Sequence, residues 1–223
     1  MAADSEHAAE IGFAAERTKA FVDAVVAIAM TLLILPLMDS VGEGASEGDD
    51  ALEWLIGHAA PLVNFVLSFV LIAMFWMIHH RLFAGVERVT VALTWILAAW
   101  MLTIVWLPVA TAIAGWMSDN DPVAKTIYIG SLTITALVSL VVRLYVRAHP
   151  GLCSQEEGTE PGGTVFGLAD DIALVVLFAI ALALALLIPG IGYYALLVML
   201  LSGFAQKLFA KVLGRRSRQE DQT

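Results

Sequence analysis

The sequence predicts an all-α membrane protein with six transmembrane helices and both termini in the cytoplasm. Three observations carry this reading. Hydrophobic residues make up 60% of the 223 residues and charged residues only 15%, whereas soluble domains are roughly 45–50% apolar. The apolar residues gather into separate runs, each near the ~20 residues a helix needs to cross about 30 Å of hydrocarbon. The basic residues fall in alternate connections between those runs.

The runs cover 20–38, 55–78, 91–116, 126–146, 172–188 and 191–210. The last two are separated only by Pro189 and Gly190, a helix stop followed by a turn, which predicts a hairpin. Arg17 and Lys19 precede the first run. Loop 39–53 has no Lys or Arg and six acids: Asp39, Glu43, Glu47, Asp49, Asp50 and Glu53. Arg81 and Arg88 flank the second connection, Lys125 stands in the third, and Arg143 and Arg147 end the fourth run. The tail carries Lys207, Lys211, Arg215, Arg216 and Arg218. With cytoplasmic termini, eleven of the 12 cations lie on one side.

This divides the chain into a cytoplasmic tail at 1–16, a six-helix domain at 17–214 and a cytoplasmic tail at 215–223. The acid-rich start has no basic segment before an apolar core, so no cleavable signal is expected. Loop 39–53 and linker 158–163 read as irregular and mobile. No repeat relates the first three runs to the last three. The net charge of −9 excludes a basic nucleic-acid-binding face. Cys153 is the sole cysteine and cannot form an internal disulfide.

The first run is the unusual one. It places Asp23 among apolar residues, at a depth where a carboxylate is costly unless paired. Arg17, His79 and His80 fall near the same ends of the first two helices, so they are its expected partners. Successive helical residues lie about 100° apart. Ile28, Leu32 and Leu35 therefore share one stripe, and Asp23 points about 140° away from Ile28. From periodicity alone the stripe also reads as ordinary packing surface. Ala20, Ala24, Ala27 and Thr31 form a small-residue face suited to close helix approach.

Arg17-x-x-x-Phe21-Val22-Asp23, running into Ala-Val-Val-Ala-Ile-Ala-Met-Thr-Leu-Leu-Ile-Leu, resembles the Arg-x-x-x-Phe-Ser-Asp signature of the transmembrane protein 175 family of potassium channels. His79-His80-Arg81-Leu82-Phe83 is a second matching stretch. Val22 departs from the family's serine and loses a hydroxyl. The resemblance implies a modestly potassium-selective cation channel, a homotetramer in the plasma membrane with the first helix of each subunit lining the pore. It implies that Ile28, Leu32 and Leu35 form the constriction. Arg17, Phe21, Asp23, His79 and His80 are then the expected structural and gating network. Potassium is the permeant ion, and no cofactor is implied.

The alternative is a secondary transporter holding substrate on Asp23, on His79 and His80, and on a hydroxyl stripe of Ser131, Thr135 and Ser139, which Arg143 continues. The same hydroxyls also read as links between helices. Asn64 and Ser68 read the same way. Trp95, Trp100 and Trp106 read as packing or interface residues, and Trp116, Tyr193 and Tyr194 as an outer aromatic belt. Asp170 and Asp171 read as caps of the fifth helix. No metal site is expected, because neighbouring histidines diverge by about 100° and no third ligand is evident. Nothing in the sequence suggests an enzyme.

Overall fold

Proline has no N–H to donate, and its ring displaces the carbonyl four residues earlier. Pro36 therefore interrupts the helix that leads into it. In the computed structural model, which describes residues 2–47, 50–117, 121–153 and 165–187, helix α1 (Ala2–Leu32) ends in a turn at Leu33 and Ile34. Helix α2 (Leu35–Glu47) then begins. The Ile34 N–H donates to the Thr31 carbonyl at 3.4 Å and the Met38 N–H to the Ile34 carbonyl at 3.0 Å. Pro36 sits in the first turn of α2, where its missing N–H leaves no bond unmade.

Two expectations are corrected here. The first span is two helices and not one, with the break lying between Leu32 and Leu35. Residues 39–47, expected as loop, are helical, and the chain then forms α3 (Ala51–Gly57). The backbone of 2–16 is helical and continuous with the start of α1.

The other described helices are α4 (Ala59–Phe83), α5 (Val91–Trp116), α6 (Pro122–Ala148) and α7 (Val165–Leu187). Among the described residues, five segments are long and apolar enough to cross a membrane: Ala15–Val41, Ala59–Phe83, Val91–Trp116, Pro122–Ala148 and Gly167–Leu187. Among the described residues there is no strand, only an isolated bridge between Val86 and Cys153. The expected sixth span at 191–210, the turn at Pro189 and Gly190, linker 158–163 and the basic tail lie outside the described residues.

Side-chain caps start two of the spans. Thr90 accepts from the Leu93 N–H at 3.2 Å to open α5, and Asp121 accepts from the Val123 N–H at 2.8 Å to open α6. Helix α5 lies against α1, α4 and α6, and α6 packs in turn on α7. Trp100, Tyr128 and Phe75 are the largest fully buried side chains of the core they share.

Helix α1 joins this core through Val22, Val26 and Ala29, continued by Leu33 in the turn, at 3- and 4-residue steps. Val22 is 1% exposed. At this position an apolar side chain meets an apolar core, which accounts physically for the departure from serine. The small-residue face of Ala20, Ala24, Ala27 and Thr31, expected to seat a neighbouring helix, is exposed within this chain.

Asp171 is not a cap. It lies six residues inside α7, 2% exposed, and pairs with the buried Arg143 of α6. Arg143 Nη2 donates to Asp171 Oδ1 at 3.3 Å, and Nε donates to Oδ2. Arg143 thus belongs to the interior rather than to a loop. Gly167 makes room for it, since a Cβ there would lie 2.6 Å from Arg143 Nη1.

Removing one partner strands the other charge, at a cost of about 3–5 kcal/mol, whereas an apolar pair of similar volume is often neutral. Asp171→Ala should therefore lower thermal stability in detergent sharply. The Arg143→Met, Asp171→Leu double variant should recover most of the loss. Equal loss in both would refute this account of the pair.

Candidate functional site

The helical repeat that buries Val22, Val26 and Ala29 turns the opposite face of α1 outward. Ile28 is 59% exposed, Leu32 37% and Leu35 50%. The three form an uncovered aliphatic strip that crosses the α1–α2 turn. Thr31 back-bonds to the Ile28 carbonyl at 2.8 Å, an arrangement that bends helices. Phe21, at 61% exposure, also faces outward.

Asp23 lies on another side, half-buried against α4. Its Oδ1 accepts from the Trp76 indole Nε1–H at 2.8 Å. Arg17 is exposed, and the ion pairs among the described residues are Lys19 with Glu16 at 3.2 Å and Arg143 with Asp171. The partner of Asp23 is thus an indole donor rather than the expected Arg17 or histidine.

Trp76 in turn tilts against His80, with ring centroids 5.5 Å apart. His79 is buried between two rings, 4.5 Å from Phe83 and 4.2 Å from Trp100, nearly parallel to both. The structure therefore gathers Asp23, Trp76, His79 and His80 where α1, α4 and α5 meet. Arg17 and Phe21 stay outside that group. Trp76 and Trp100 are the members that sequence reasoning missed as partners. The signal for Trp76 is its position three residues before His79 and four before His80, on the same helix surface. No group of three metal-type ligands occurs among the described residues.

Several other intramembrane polar groups are bonded across helices. Trp106 Nε1–H donates to Ser131 at 3.0 Å, and Trp100 Nε1–H donates to Ser139 at 2.8 Å. Ser139 and Thr135 donate back to their own helix at 2.9 Å each. Asn64 Nδ2 donates to the Ala114 carbonyl at 3.4 Å. Ser68 lies 2.8 Å from both the Tyr128 hydroxyl and Thr111 Oγ1, and Thr111 lies 2.8 Å from the Leu107 carbonyl. One proton per hydroxyl suffices if Tyr128 donates to Ser68, Ser68 to Thr111 and Thr111 to that carbonyl.

At the opposite end, the Trp54 ring stacks on His58 at 4.6 Å, and His58 meets Trp116 edge-on at 6.0 Å. The Trp54 indole also donates to the Ser40 carbonyl at 3.1 Å. This cluster ties α2 and α3 to α5.

The fold and the site define a multi-pass helical membrane protein whose first span presents an unpaired aliphatic strip. Residues 17–108 match the family model described as endosomal/lysosomal potassium channel TMEM175. That stretch holds the strip, Asp23, Trp76 and both histidines. Over that stretch the chain is similar to the TMEM175 family.

It is 23% identical over 186 residues to a protein named as a potassium channel from Chryseobacterium sp. (strain P1-3), covering 82% of this chain and 90% of that one. It is also 23% identical over 140 residues to the endosomal/lysosomal proton channel TMEM175 of Danio rerio. That match covers 63% of this chain and only 26% of the longer relative. The fold resembles the crystal structure of a lysosomal potassium-selective channel TMEM175 homolog from Chamaesiphon minutus. The TM-score is 0.64 at 21% identity, covering 87% of this chain and 96% of that one.

A hydrogen bond to a charged group contributes about 1.5–3 kcal/mol. Trp76→Phe keeps most of the ring and removes the donor. It should destabilise the protein by that amount, measured by thermal unfolding in detergent. Combined with Asp23→Asn, the two losses should be strongly non-additive. Simple additivity would count against the bond.

Proposed function

We propose that this chain is one subunit of a membrane cation channel that prefers potassium to sodium modestly. In this reading it is a homotetramer in the plasma membrane with both termini cytoplasmic. Its α1–α2 segments surround the pore, and rings of Ile28, Leu32 and Leu35 form the constriction. It works without a cofactor and catalyses no reaction.

The observation that carries the reading is the strip itself. On a helix whose other face is locked into the core, three aliphatic side chains are left uncovered within the segment that matches the family model. The names of the relatives support ion conduction.

The physics of such a pore is coherent. An aliphatic ring offers no ligand to an ion, so a narrow one dewets and closes, while a wider one passes partly hydrated ions. Discrimination then follows dehydration cost, which is lower for potassium than for sodium. Asp39, Asp50 and Glu53 are exposed where α2 and α3 meet, and their charge would concentrate cations near one mouth. Asp23 lies off the strip and acts as a brace for α1. The hydroxyl stripe of the transporter alternative is occupied in bonds to indoles and to its own backbone.

Purified protein in planar bilayers should show unitary currents with potassium favoured over sodium. Saturable flux without unitary currents would overturn the reading. Ile28→Asn should raise conductance or lower the potassium preference several-fold, because a polar ring resists dewetting. An unchanged permeability ratio would remove Ile28 from the constriction. Native mass spectrometry should give four copies per particle, and a conducting monomer would exclude the shared pore.

A further inference from the structure

A cavity of about 210 Å³ lies beside Asp23, between α1, the end of α4 and the start of α5. Its polar lining includes Glu16, Lys19, Asp23, His79 and His80, and its apolar lining includes Phe83 and Leu97. Ile28, Leu32 and Leu35 do not line it. Lys19 and Glu16 neutralise each other at 3.2 Å. Asp23 is left as the uncompensated charge of the lining.

Two groups have bonding capacity to spare here. Asp23 uses Oδ1 for Trp76, and its Oδ2 is bonded to no described residue. His79 is 7% exposed, with both ring faces covered by Phe83 and Trp100. Only its edge is left for polar contact, and its nitrogens make no hydrogen bond to the described residues although the ring lines the cavity. Its edge is therefore open to whatever occupies the cavity.

We propose that this cavity binds a small monovalent organic cation, a protonated primary amine. Its ammonium sits on Asp23 Oδ2 and the edge of His79, and its carbon part rests on Phe83 and Leu97. An ammonium brings three donors to an acceptor-rich corner and balances the surplus negative charge. An anion would meet Asp23 at close range. A divalent metal finds no set of three ligands among the described residues. The volume lies below the roughly 300–1,000 Å³ of sites for drug-sized ligands, which limits the occupant to a small amine. The site is separate from the proposed constriction.

The test uses the full chain in nanodiscs with 4-fluorobenzylamine as probe, observed by 19F NMR, and 4-fluorobenzyl alcohol as its neutral counterpart. Saturable binding of the amine is expected, with the alcohol at least tenfold weaker. Asp23→Asn should weaken the amine at least tenfold. Ala84→Phe, at an exposed position on the cavity lining, should do the same while leaving the Asp23–Trp76 bond intact. Ile28→Asn, whose side chain does not line the cavity, should leave the amine's affinity unchanged. Equal binding of amine and alcohol, non-saturable uptake, full binding by the Ala84 variant, or loss confined to the Ile28 variant would each overturn the proposal.

Discussion

A carboxylate placed among hydrocarbon-facing residues must find a partner or lose its charge, and the hydrogen bond from Trp76 to Asp23 is how this chain meets that demand. The bond sets more than the state of one side chain. It pins the rotation of α1 about its own axis, since Asp23 must face α4. With that rotation set, Val22, Val26 and Ala29 enter the core, and Ile28 and Leu32 turn away from it. The aliphatic strip is uncovered because the acid beside it is committed elsewhere.

The same demand organises the other helices. Hydrocarbon offers no water to a stray polar group, so indoles and hydroxyls pair across helices. Trp100 and Trp106 of α5 bond to Ser139 and Ser131 of α6. Ser68, Thr111 and Tyr128 join α4, α5 and α6. Arg143 and Asp171 join α6 to α7 as the strongest version of the rule. These links sit at separate depths and give an otherwise featureless set of apolar faces a defined register.

Much of this was legible in advance, for reasons that differ by element. The apolar run 91–116 coincides with the helix Val91–Trp116, because hydropathy over about 20 residues is enough to mark a span. The strip on α1 was legible because 100° steps are a property of any helix. The break at Leu33 and Ile34 was missed although Pro36 stood in plain view, because the apolar run 20–38 was read as one span passing through it. Asp171 was read as a cap because it opens an apolar run. The helix begins earlier, at Val165, and only the neighbouring α6 supplies the arginine that makes a buried aspartate affordable.

The sequence by itself determined the class of protein, the position of most spans, the two faces of α1 and the resemblance that the family match later supported. These follow from short-range quantities: hydropathy over about 20 residues, the helical angle and local motif spacing. The tertiary structure alone decided which polar group serves which. Asp23 takes an indole 53 positions away in place of a nearby arginine. Arg143 takes an acid 28 positions on. His79 is stacked on Trp100 of the next helix. Each outcome depends on how helices are rotated and set in depth against one another, and that is fixed by packing of whole faces rather than by any residue's neighbours in the chain.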